Sequence, residues 1–411
     1  MGPQALHRLT LAVAVGVALA AAAAGAQAVE RCELNGESVN PNNGNTTAGK
    51  TGLMRCREEG TGPIVREQEL QQGRFMGVVR RFKDGVLERE YRVNEQGNRE
   101  GLARVWHVAD GKGVLAEEDT YRNSDRVGFS RTWHPNGQPK RLAFTAEGVR
   151  EPVAVVEWGP DGLLWQLRCG SRPVLAPHFD DAKACGHAGD ATAELFNGRG
   201  RLTEKRLWRR GESMRVETFW DTGGPRDLLE RNADGAGGTT KAYAADGVLR
   251  RETQWVAVAP ATGSDRPRQV TVLEREFHER GARVKERRLR PATFGAELVA
   301  EETWYLNGQP RDRSEFETVG EETRRRETTF HDNGVKASEG AYVARRGGRG
   351  GGGGDRPTGV HRSFDPQGRL RAESTYDERG RIARERVLDE NGKVVRDEEV
   401  FEDGSRKSTA R

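Results

Sequence analysis

The segment that decides the fold lies near the C-terminus, where residues 364–404 read FDPQGRLRAESTYDERGRIARERVLDENGKVVRDEEVFEDG. Four turn glycines, Gly368, Gly380, Gly392 and Gly404, follow one another at intervals of twelve residues. Each comes after a short polar stretch that contains Asp, and each polar stretch comes after a large apolar residue. A strand of about seven or eight residues followed by a four-residue turn gives this period. The segment therefore predicts consecutive antiparallel hairpins.

The same turn chemistry recurs along most of the chain. Asn-Gly and Asp-Gly pairs supply the positive φ that tight hairpin turns need. They occur at Asp84-Gly85, Asp110-Gly111, Asn136-Gly137, Asp161-Gly162, Asp246-Gly247, Asn307-Gly308 and Asn333-Gly334. Amphipathic helical periodicity is not sustained anywhere, so we predict an all-β fold. Its architecture would be an elongated antiparallel β-hairpin repeat, a meander or solenoid with inserted flexible loops.

Several segments upstream of these turns share one formula: Gly, an apolar residue, any residue, Arg, any residue and an aromatic residue. They are Gly77–Phe82, Gly101–Trp106, Gly128–Trp133 and Gly359–Phe364, with Gly238–Tyr243 as a weaker copy that has Lys241. Side chains two apart on a strand share a face, so the apolar residue, the cation and the ring are expected on one side of the sheet. The other side receives small or polar residues and is expected to face water.

The cations and rings of this formula form a candidate ligand face. One hypothesis is a groove for an anionic or sugar-containing polymer, since rings stack and guanidinium groups bind phosphate or carboxylate. The other is that the arginine stems cover the rings while their heads pair with glutamates on adjacent strands, such as Glu88, Glu90 or Glu117. The candidate residues are Arg80, Phe82, Arg104, Trp106, Arg131, Trp133, Arg362 and Phe364.

The register of these motifs resembles the MORN-repeat variant of YwqK-like bacterial proteins. Residues 101–144 carry the likeness best, with two copies of the formula separated by a Glu-containing strand that ends at Tyr121. The likeness extends with interruptions over residues 73–411, and the chain departs from it by an exported, cysteine-bearing N-terminus. The resemblance implies a ladder of hairpins with no cofactor and no catalytic residues.

Residues 1–28 have the layout of a secretory signal peptide. A short basic start precedes a long Ala/Leu/Val stretch, and Ala26-Gln27-Ala28 offers a cleavage site before Val29. The alternative is an uncleaved N-terminal anchor. No later segment is long and apolar enough to span a membrane, so we expect an exported protein, periplasmic or secreted.

Composition limits both the core and the partners. Hydrophobic residues make up 34% of the 411 residues and charged residues 32%, so a large three-layer α/β core is not expected. Loss of Arg8 with the signal lowers the basic count from 67 to 66 against 63 acidic residues, a net charge of +3. This balance argues against a partner that is a nucleic acid.

The four cysteines favour two disulfides in an oxidising compartment, Cys32–Cys56 and Cys169–Cys185. A Zn²⁺ site of Cys, His and Asp is the alternative for the second pair, because His178, Asp180, Asp181 and His187 lie beside it. Their spacings match no familiar metal motif, and we expect no metal.

Residues 44–51, GNTTAGKT, satisfy the phosphate-binding P-loop pattern letter for letter. That mechanism needs a buried strand before the loop and a helix after it. Turn residues at 38–43 precede the match, and only four residues separate it from Cys56. We interpret the match as a coincidence in a tight loop.

The chain is therefore predicted to comprise a signal peptide at 1–28, a Cys-bounded, loop-rich segment at 29–72 and a hairpin array at 73–411. Loop insertions are expected near 169–190, 256–270 and 343–358, the last containing the glycine run at 347–354 as a floppy hairpin loop within one sheet.

No catalytic constellation is apparent, and His107, His134, His278 and His331 each follow an aromatic residue at an exposed turn corner. We expect a non-catalytic, cofactor-free scaffold whose partner is another protein, in an adaptor or immunity-like role. The alternative is a binding module for cell-wall or surface glycan.

Overall fold

The computed structural model describes residues 30–58, 61–260, 267–320, 322–345 and 355–409. They form antiparallel β-strands almost throughout, which confirms the predicted all-β hairpin meander. The described residues form two compact units, one ending at Asp125 and the other beginning at Arg126. The expected signal peptide and the glycine run at 347–354 lie outside the described residues.

In the first unit each strand pairs with its neighbours in sequence, except that β1 lies between β2 and β3. A single helical turn, α1 (Gly44–Thr47), joins β2 to β3. The strands are β1 (Glu30–Leu34), β2 (Glu37–Val39), β3 (Gly52–Glu58), β4 (Ile64–Gln71), β5 (Arg74–Lys83), β6 (Val86–Val93), β7 (Gly101–Ala109) and β8 (Lys112–Arg122).

In the second unit β9–β12 pair in sequence order, and so do β13–β29. A helical turn, α2 (Asp181–Ala184), lies in the connection from β12 to β13. The strands are β9 (Asp125–Trp133), β10 (Pro139–Thr145), β11 (Ala154–Trp158), β12 (Leu164–Arg168), β13 (Ala191–Phe196), β14 (Leu202–Arg209), β15 (Glu212–Phe219), β16 (Pro225–Arg231), β17 (Gly237–Tyr243), β18 (Leu249–Val258), β19 (Arg268–Phe277), β20 (Arg283–Pro291), β21 (Ala296–Trp304), β22 (Pro310–Val319), β23 (Glu322–Phe330), β24 (Lys336–Arg345), β25 (Arg356–Phe364), β26 (Leu370–Tyr376), β27 (Ile382–Leu388), β28 (Val394–Val400) and β29 (Arg406–Ser408).

The twelve-residue period comes from one strand and one turn closed by an acidic side chain. Asp365 Oδ1 accepts hydrogen bonds from the backbone N–H groups of Gln367 and Arg369, at 3.1 and 2.9 Å. Gly368, at φ 83°, donates its own N–H to the Asp365 carbonyl at 2.8 Å. This left-handed conformation suits glycine, since a Cβ would strain it. Asp377 makes the same pair of side-chain bonds in the next turn.

A β-bulge just after the turn sets the register of many hairpins. In the β5–β6, β7–β8 and β25–β26 hairpins the unpaired residues are Glu88, Ala116 and Arg371. The aromatic residue before the turn then lies opposite an apolar one, as Trp106 lies opposite Leu115. The extra residue shifts all later residue pairs of the hairpin by one position. The same shift therefore recurs in each of these hairpins.

The segment at 29–72 is rich in strands rather than loops, which corrects the sequence-based expectation. It contains β1–β4 and a buried cluster of Cys32, Leu34, Val39, Met54, Cys56 and Leu70. In β1 only every second residue, Cys32 and Leu34, is buried. Such short alternating strands contain few apolar residues, so the turn-forming residues between them dominated the sequence pattern.

The second unit has a large buried apolar cluster on β10–β14. The connection at 169–190 is a loop, as expected, but it packs into this cluster through Leu175 and Cys185, both 0% exposed. The other buried members are Leu142, Ala154, Val156, Leu167, Ala193, Leu195 and Trp208.

Strands extend into the other two segments that were expected to be loops. β18 ends at Val258 and β19 begins at Arg268, so the first connection is 259–267 rather than 256–270. Likewise β24 reaches Arg345 and β25 starts at Arg356, which shortens the second connection. Among the described residues, no helix combines the length and the apolar character needed to cross a bilayer.

The face expected to be small and polar carries a row of rings. Tyr342, His361 and Tyr376 lie side by side, with centroid distances of 5.0 and 4.6 Å. The ring of His361 lies over Gly340, where a Cβ would come within 2.6 Å of its Nδ1. Glycine at 340 thus makes room for a ring from the adjacent strand, in a chain where both faces of the sheet hold large side chains.

Candidate functional site

Arg80 and Arg104 of the repeat formula lie in a cross-strand row in which arginines alternate with glutamates. In the first unit, adjacent strands place these residues directly opposite one another in the order Glu33, Arg55, Glu67, Arg80, Glu90, Arg104 and Glu118. We call this row the first charge ladder. Side chains directly opposite share a face, so the ladder is a single line of opposite charges across β1 and β3–β8.

The ion pairs of the first charge ladder are close. Arg80 Nε donates to Glu90 Oε2 at 2.7 Å, and its Nη1 lies 3.3 Å from Glu67 Oε2. Arg104 Nε donates to Glu118 Oε2 at 2.8 Å. The hydrogen bond that Arg80 donates to Glu90 raises the pKa of Arg80 above its usual value. Arg80 is therefore paired with carboxylates on both neighbouring strands, and Arg104 is paired with a carboxylate on one neighbouring strand.

A second charge ladder crosses β13–β28 in the second unit. Its members are Glu194, Lys205, Glu217, Leu228, Lys241, Glu252, Arg275, Glu286, Glu302, Arg313, Thr328, Glu339, Arg362, Glu373, Arg386 and Asp397. Arg362 lies between Glu339 and Glu373, at 3.2 and 2.9 Å. A hydrogen bond from Lys336, and a weaker effect of Arg362, hold the pKa of the Glu339 carboxyl below its usual value.

The most enclosed charge of the second charge ladder is Glu286, whose side chain is 3% exposed. It receives Arg275 Nε at 2.9 Å, Arg283 Nη1 at 2.7 Å and Arg288 Nη2 at 2.9 Å. Burial alone pushes the pKa of Glu286 upward, but hydrogen bonds from Arg275 and Arg288 outweigh it and keep that pKa below its usual value. Glu286 was not predicted as a site residue, because its pairing with Arg275 depends on the register of β19 and β20, and Glu302, a like charge, lies opposite it on β21.

Of the two hypotheses for the ligand face, ion pairing describes Arg80, Arg104 and Arg362. Glu90 is a partner, as expected. Glu88 is a bulge residue instead, and the partner of Arg104 is Glu118 rather than Glu117.

Arg131 has a different environment from the other three arginines. It lies opposite Leu142, its Nη1 is 3.2 Å from His178 Nδ1, and its guanidinium carbon is 5.5 Å from the Trp133 ring centroid. The rings at Phe82, Trp106, Trp133 and Phe364 are all half-buried. They are partly covered by neighbouring side chains, as Phe364 is by Lys336 at 5.7 Å.

Both expected disulfides are present, Cys32–Cys56 and Cys169–Cys185. Glu30, Cys32 and Cys56 bring three potential metal ligands within 4.8 Å, but both sulfur atoms belong to the disulfide. A disulfide sulfur is not a thiolate, so this group does not have the ligands of a metal site.

In the loop closed by the second disulfide, two aspartate side chains accept hydrogen bonds that stabilise the backbone. Asp181, 1% exposed, accepts the backbone N–H groups of Val174 and Leu175 at 2.7 and 3.0 Å. Asp180 caps α2 by accepting the Lys183 N–H at 3.0 Å. These bonds order the polypeptide between the two cysteines.

The P-loop match at 44–51 lacks the surroundings of a phosphate site. The helical turn α1 lies inside the match, and β3 follows it, whereas the mechanism needs a helix after the loop. Lys50 forms a 2.7 Å ion pair with Glu37 of the short strand β2. The structure thus assigns the lysine a local partner.

Two of the turn histidines link one turn to the next turn on the same edge. His134 Nε2 lies 2.9 Å from the Trp158 carbonyl and His331 Nε2 lies 2.9 Å from the Phe364 carbonyl. His134 is buried, so its expected position at an exposed corner was wrong. Asn333 adds a parallel link, donating from Nδ2 to the Pro366 carbonyl at 2.9 Å.

The second unit also has two open grooves on its sheet surface. One, of about 820 Å³, is lined by Phe316, Arg325 and Tyr342 among others, and the second, of about 730 Å³, by Trp304 and Leu306. Arg325 pairs with Glu327 at 3.2 Å and stacks on Tyr342 at 4.4 Å. Burial raises the pKa of the Tyr342 hydroxyl.

Comparison with known proteins assigns the chain to no family. No protein-family model matches it, and no curated protein matches it significantly. Among solved structures, TcdB2-TccC3 resembles it at 12% identity and a TM-score of 0.18, over 87% of this chain and 21% of that one. A putative 6-phosphogluconolactonase from Bacteroides uniformis ATCC 8492 resembles it at 12% identity and a TM-score of 0.13, over 89% and 92% of the two chains. The chain thus spans about a fifth of the length of TcdB2-TccC3.

Proposed function

We propose that this protein is a non-catalytic, exported repeat protein that acts as a protein-interaction scaffold, adaptor or immunity-like, in the bacterial envelope. The observation that carries the proposal is the pairing of Arg80, Arg104 and Arg362 with carboxylates of adjacent strands. Paired cations bind a polyanion weakly, because each would have to exchange one carboxylate for another anion. A wide surface of compensated charges instead suits recognition of a folded partner by complementary shape and charge.

The two disulfides support the location. Such bonds persist in oxidising compartments and are rare in the cytosol of mesophiles. They support the proposed location in the periplasm or among secreted proteins.

The glycan-binding alternative has one observation in its favour. Trp304, Tyr305 and Leu306 line the 730 Å³ groove together with Lys285, and Leu306 is 59% exposed. A ring beside a polar wall is the surface on which sugars stack. This groove, rather than the arginine row, is where a glycan would bind.

The scaffold proposal is tested by isolating a partner and rebuilding the complex. The tagged full chain is crosslinked in envelope extracts, the captured protein is purified, and binding is measured with the two isolated components. Saturable binding of the two purified proteins supports the proposal. Capture that cannot be rebuilt from purified components contradicts it.

A parallel experiment tests the alternative. Wild type, Trp304→Ala and a control, Phe401→Ala, are sedimented with insoluble cell wall; Phe401 is 50% exposed and lies outside the groove. Co-sedimentation that Trp304→Ala alone abolishes supports glycan binding. If no variant sediments with the wall, the alternative is wrong.

A further inference from the structure

Three arginines of the first unit form a row that no carboxylate interrupts. The register places Arg66 of β4 directly opposite Arg81 of β5, and Arg81 directly opposite Arg89 of β6. All three lie on the face opposite the first charge ladder, because each adjoins a residue of that ladder on its own strand. Residues directly opposite on adjacent strands have Cβ atoms about 5 Å apart, and like charges at that separation repel.

These arginines lack the carboxylate partners that characterise the first charge ladder. Within the described part of the chain, none of the three forms an ion pair; the polar contact of Arg66 is with Gln68 Oε1, at 3.5 Å. Arg81 and Arg89 are exposed, whereas Arg66 is half-buried and its Nε is enclosed without a hydrogen-bond partner. Burial, and then the neighbouring charge of Arg81, lower the pKa of Arg66.

At its Arg66 end, the row borders the buried apolar cluster of the first unit. Arg66 lies opposite Cys56, a member of the disulfide and of the buried cluster of the first unit. On β6, Tyr91 is two residues from Arg89 on the same face, and Arg99 stacks on the Tyr91 ring at 5.0 Å. Glu30 is the carboxylate whose charge acts on Arg66, and the charge of Arg81 acts in the opposite direction.

We propose that Arg66, Arg81 and Arg89 form a binding site for an oxyanion, a phosphate or a carboxylate group, on the face of the first unit opposite its charge ladder. An anion placed between these side chains would accept charge-assisted hydrogen bonds from planar guanidinium groups and remove their mutual repulsion. The three-residue row spans about 10 Å across the strands, so a ligand with two neighbouring anionic groups fits it best. The proposal does not depend on the scaffold function.

The test uses the full chain and two probes, sodium pyrophosphate and sodium citrate, measured by isothermal titration calorimetry at fixed ionic strength with sodium chloride as the reference salt. The variants are Arg81→Gln and Arg89→Gln. The matched control is Arg92→Gln, which removes one charge from the same strand but on the opposite face. Arg92 is exposed and lies opposite Val78.

We expect wild type and Arg92→Gln to bind at least one probe with similar affinity, and each row variant to lose about tenfold or more in affinity. Binding of pyrophosphate alone would assign the site to phosphate, and binding of citrate alone to carboxylate. Without a probe, Arg81→Gln should melt at or above the wild-type temperature, because repulsion is relieved. The proposal is overturned if neither probe binds, or if the row variants bind as well as Arg92→Gln does.

Discussion

Single residues in this sheet act as links between strands rather than as free surface groups. The clearest case is Glu286, which is 3% exposed and bonded to three arginines. Arg80 and Arg362 are each bonded to carboxylates on both neighbouring strands. Ion pairs between adjacent strands therefore stabilise the sheet where the strands have few apolar side chains.

Replacing Glu286 by Gln is expected to destabilise the second unit by about 2 kcal/mol, because three arginines lose a buried anionic partner. The partners are 29–59% exposed, so water replaces part of the lost interaction and keeps the loss below that of a fully buried pair. Chemical denaturation measures the change. The control is Glu230→Gln, whose carboxylate is 56% exposed and 3.9 Å from Arg215, and it should change stability little. Equal effects of the two variants would contradict this account.

The pH dependence of stability follows from the same carboxylate. The folded-state pKa of Glu286 lies below the ordinary value of 4.5. Between these two pKa values the unfolded chain therefore binds more protons than the folded protein. The contribution of Glu286 to stability is therefore fully present above pH 4.5 and is lost as the pH falls through the folded-state pKa. Urea midpoints measured from about pH 6 down to pH 3 should fall on acidification, and less steeply for Glu286→Gln. A profile for that variant as steep as that of wild type would disprove the assignment.

At the scale of the element, close packing between neighbouring strands is as specific as charge. Gly340 accommodates the ring of His361, which lies between Tyr342 and Tyr376 and bonds to the Ala341 carbonyl at 2.8 Å. Tyr342 and Tyr376 thus flank the His361 ring on two sides, and Gly340 lies against it. The packing of β25 against β24 thus depends on glycine at position 340.

Gly340→Ala is expected to destabilise the second unit by about 1–3 kcal/mol, because its Cβ overlaps the His361 ring. The double variant Gly340→Ala/His361→Ala should recover part of the loss, since it removes the overlapping ring. Thermal melts of the two variants and of His361→Ala decide the matter. If the double variant is no more stable than Gly340→Ala, the overlap is not the cause.

The hairpins were predictable from sequence because their signals are local. Asp365 and Gly368 identify a turn by chemistry that acts within four residues. The partners of the arginines were only partly predictable, since bulges at positions such as Glu88 and Ala116 move the register by one residue. A one-residue shift replaces Glu117 by Glu118 opposite Arg104, and sequence periodicity alone does not reveal it. The anion-site residues were missed because Arg66 lies outside the repeat formula.

At the scale of the whole molecule, contacts are mostly between strands that follow each other in sequence. Stability in such an arrangement is close to a sum of local terms, so damage in one place is expected to remain there. The connection at 169–190 is the main exception, since it joins the cluster shared by β10–β14.

Removing the second disulfide with Cys169→Ser/Cys185→Ser is expected to cost about 3 kcal/mol locally, because the denatured loop between these residues is no longer constrained. Hydrogen exchange should accelerate at 169–190 and in the strands that pack on it. Exchange in β26–β28, far along the sheet, should stay as in wild type. Faster exchange across all strands would show that the second unit unfolds as one body.

In two hairpins the pairing of the strands is maintained across a long connection. Glu252 and Arg275 face each other across the connection at 259–267, and Glu339 and Arg362 do so across the one at 346–355, although both connections far exceed a four-residue turn. Insertions at these two places would therefore leave the neighbouring strands undisturbed. Related chains are expected to vary in length there, and an epitope tag or a small guest domain grafted at either place should be tolerated.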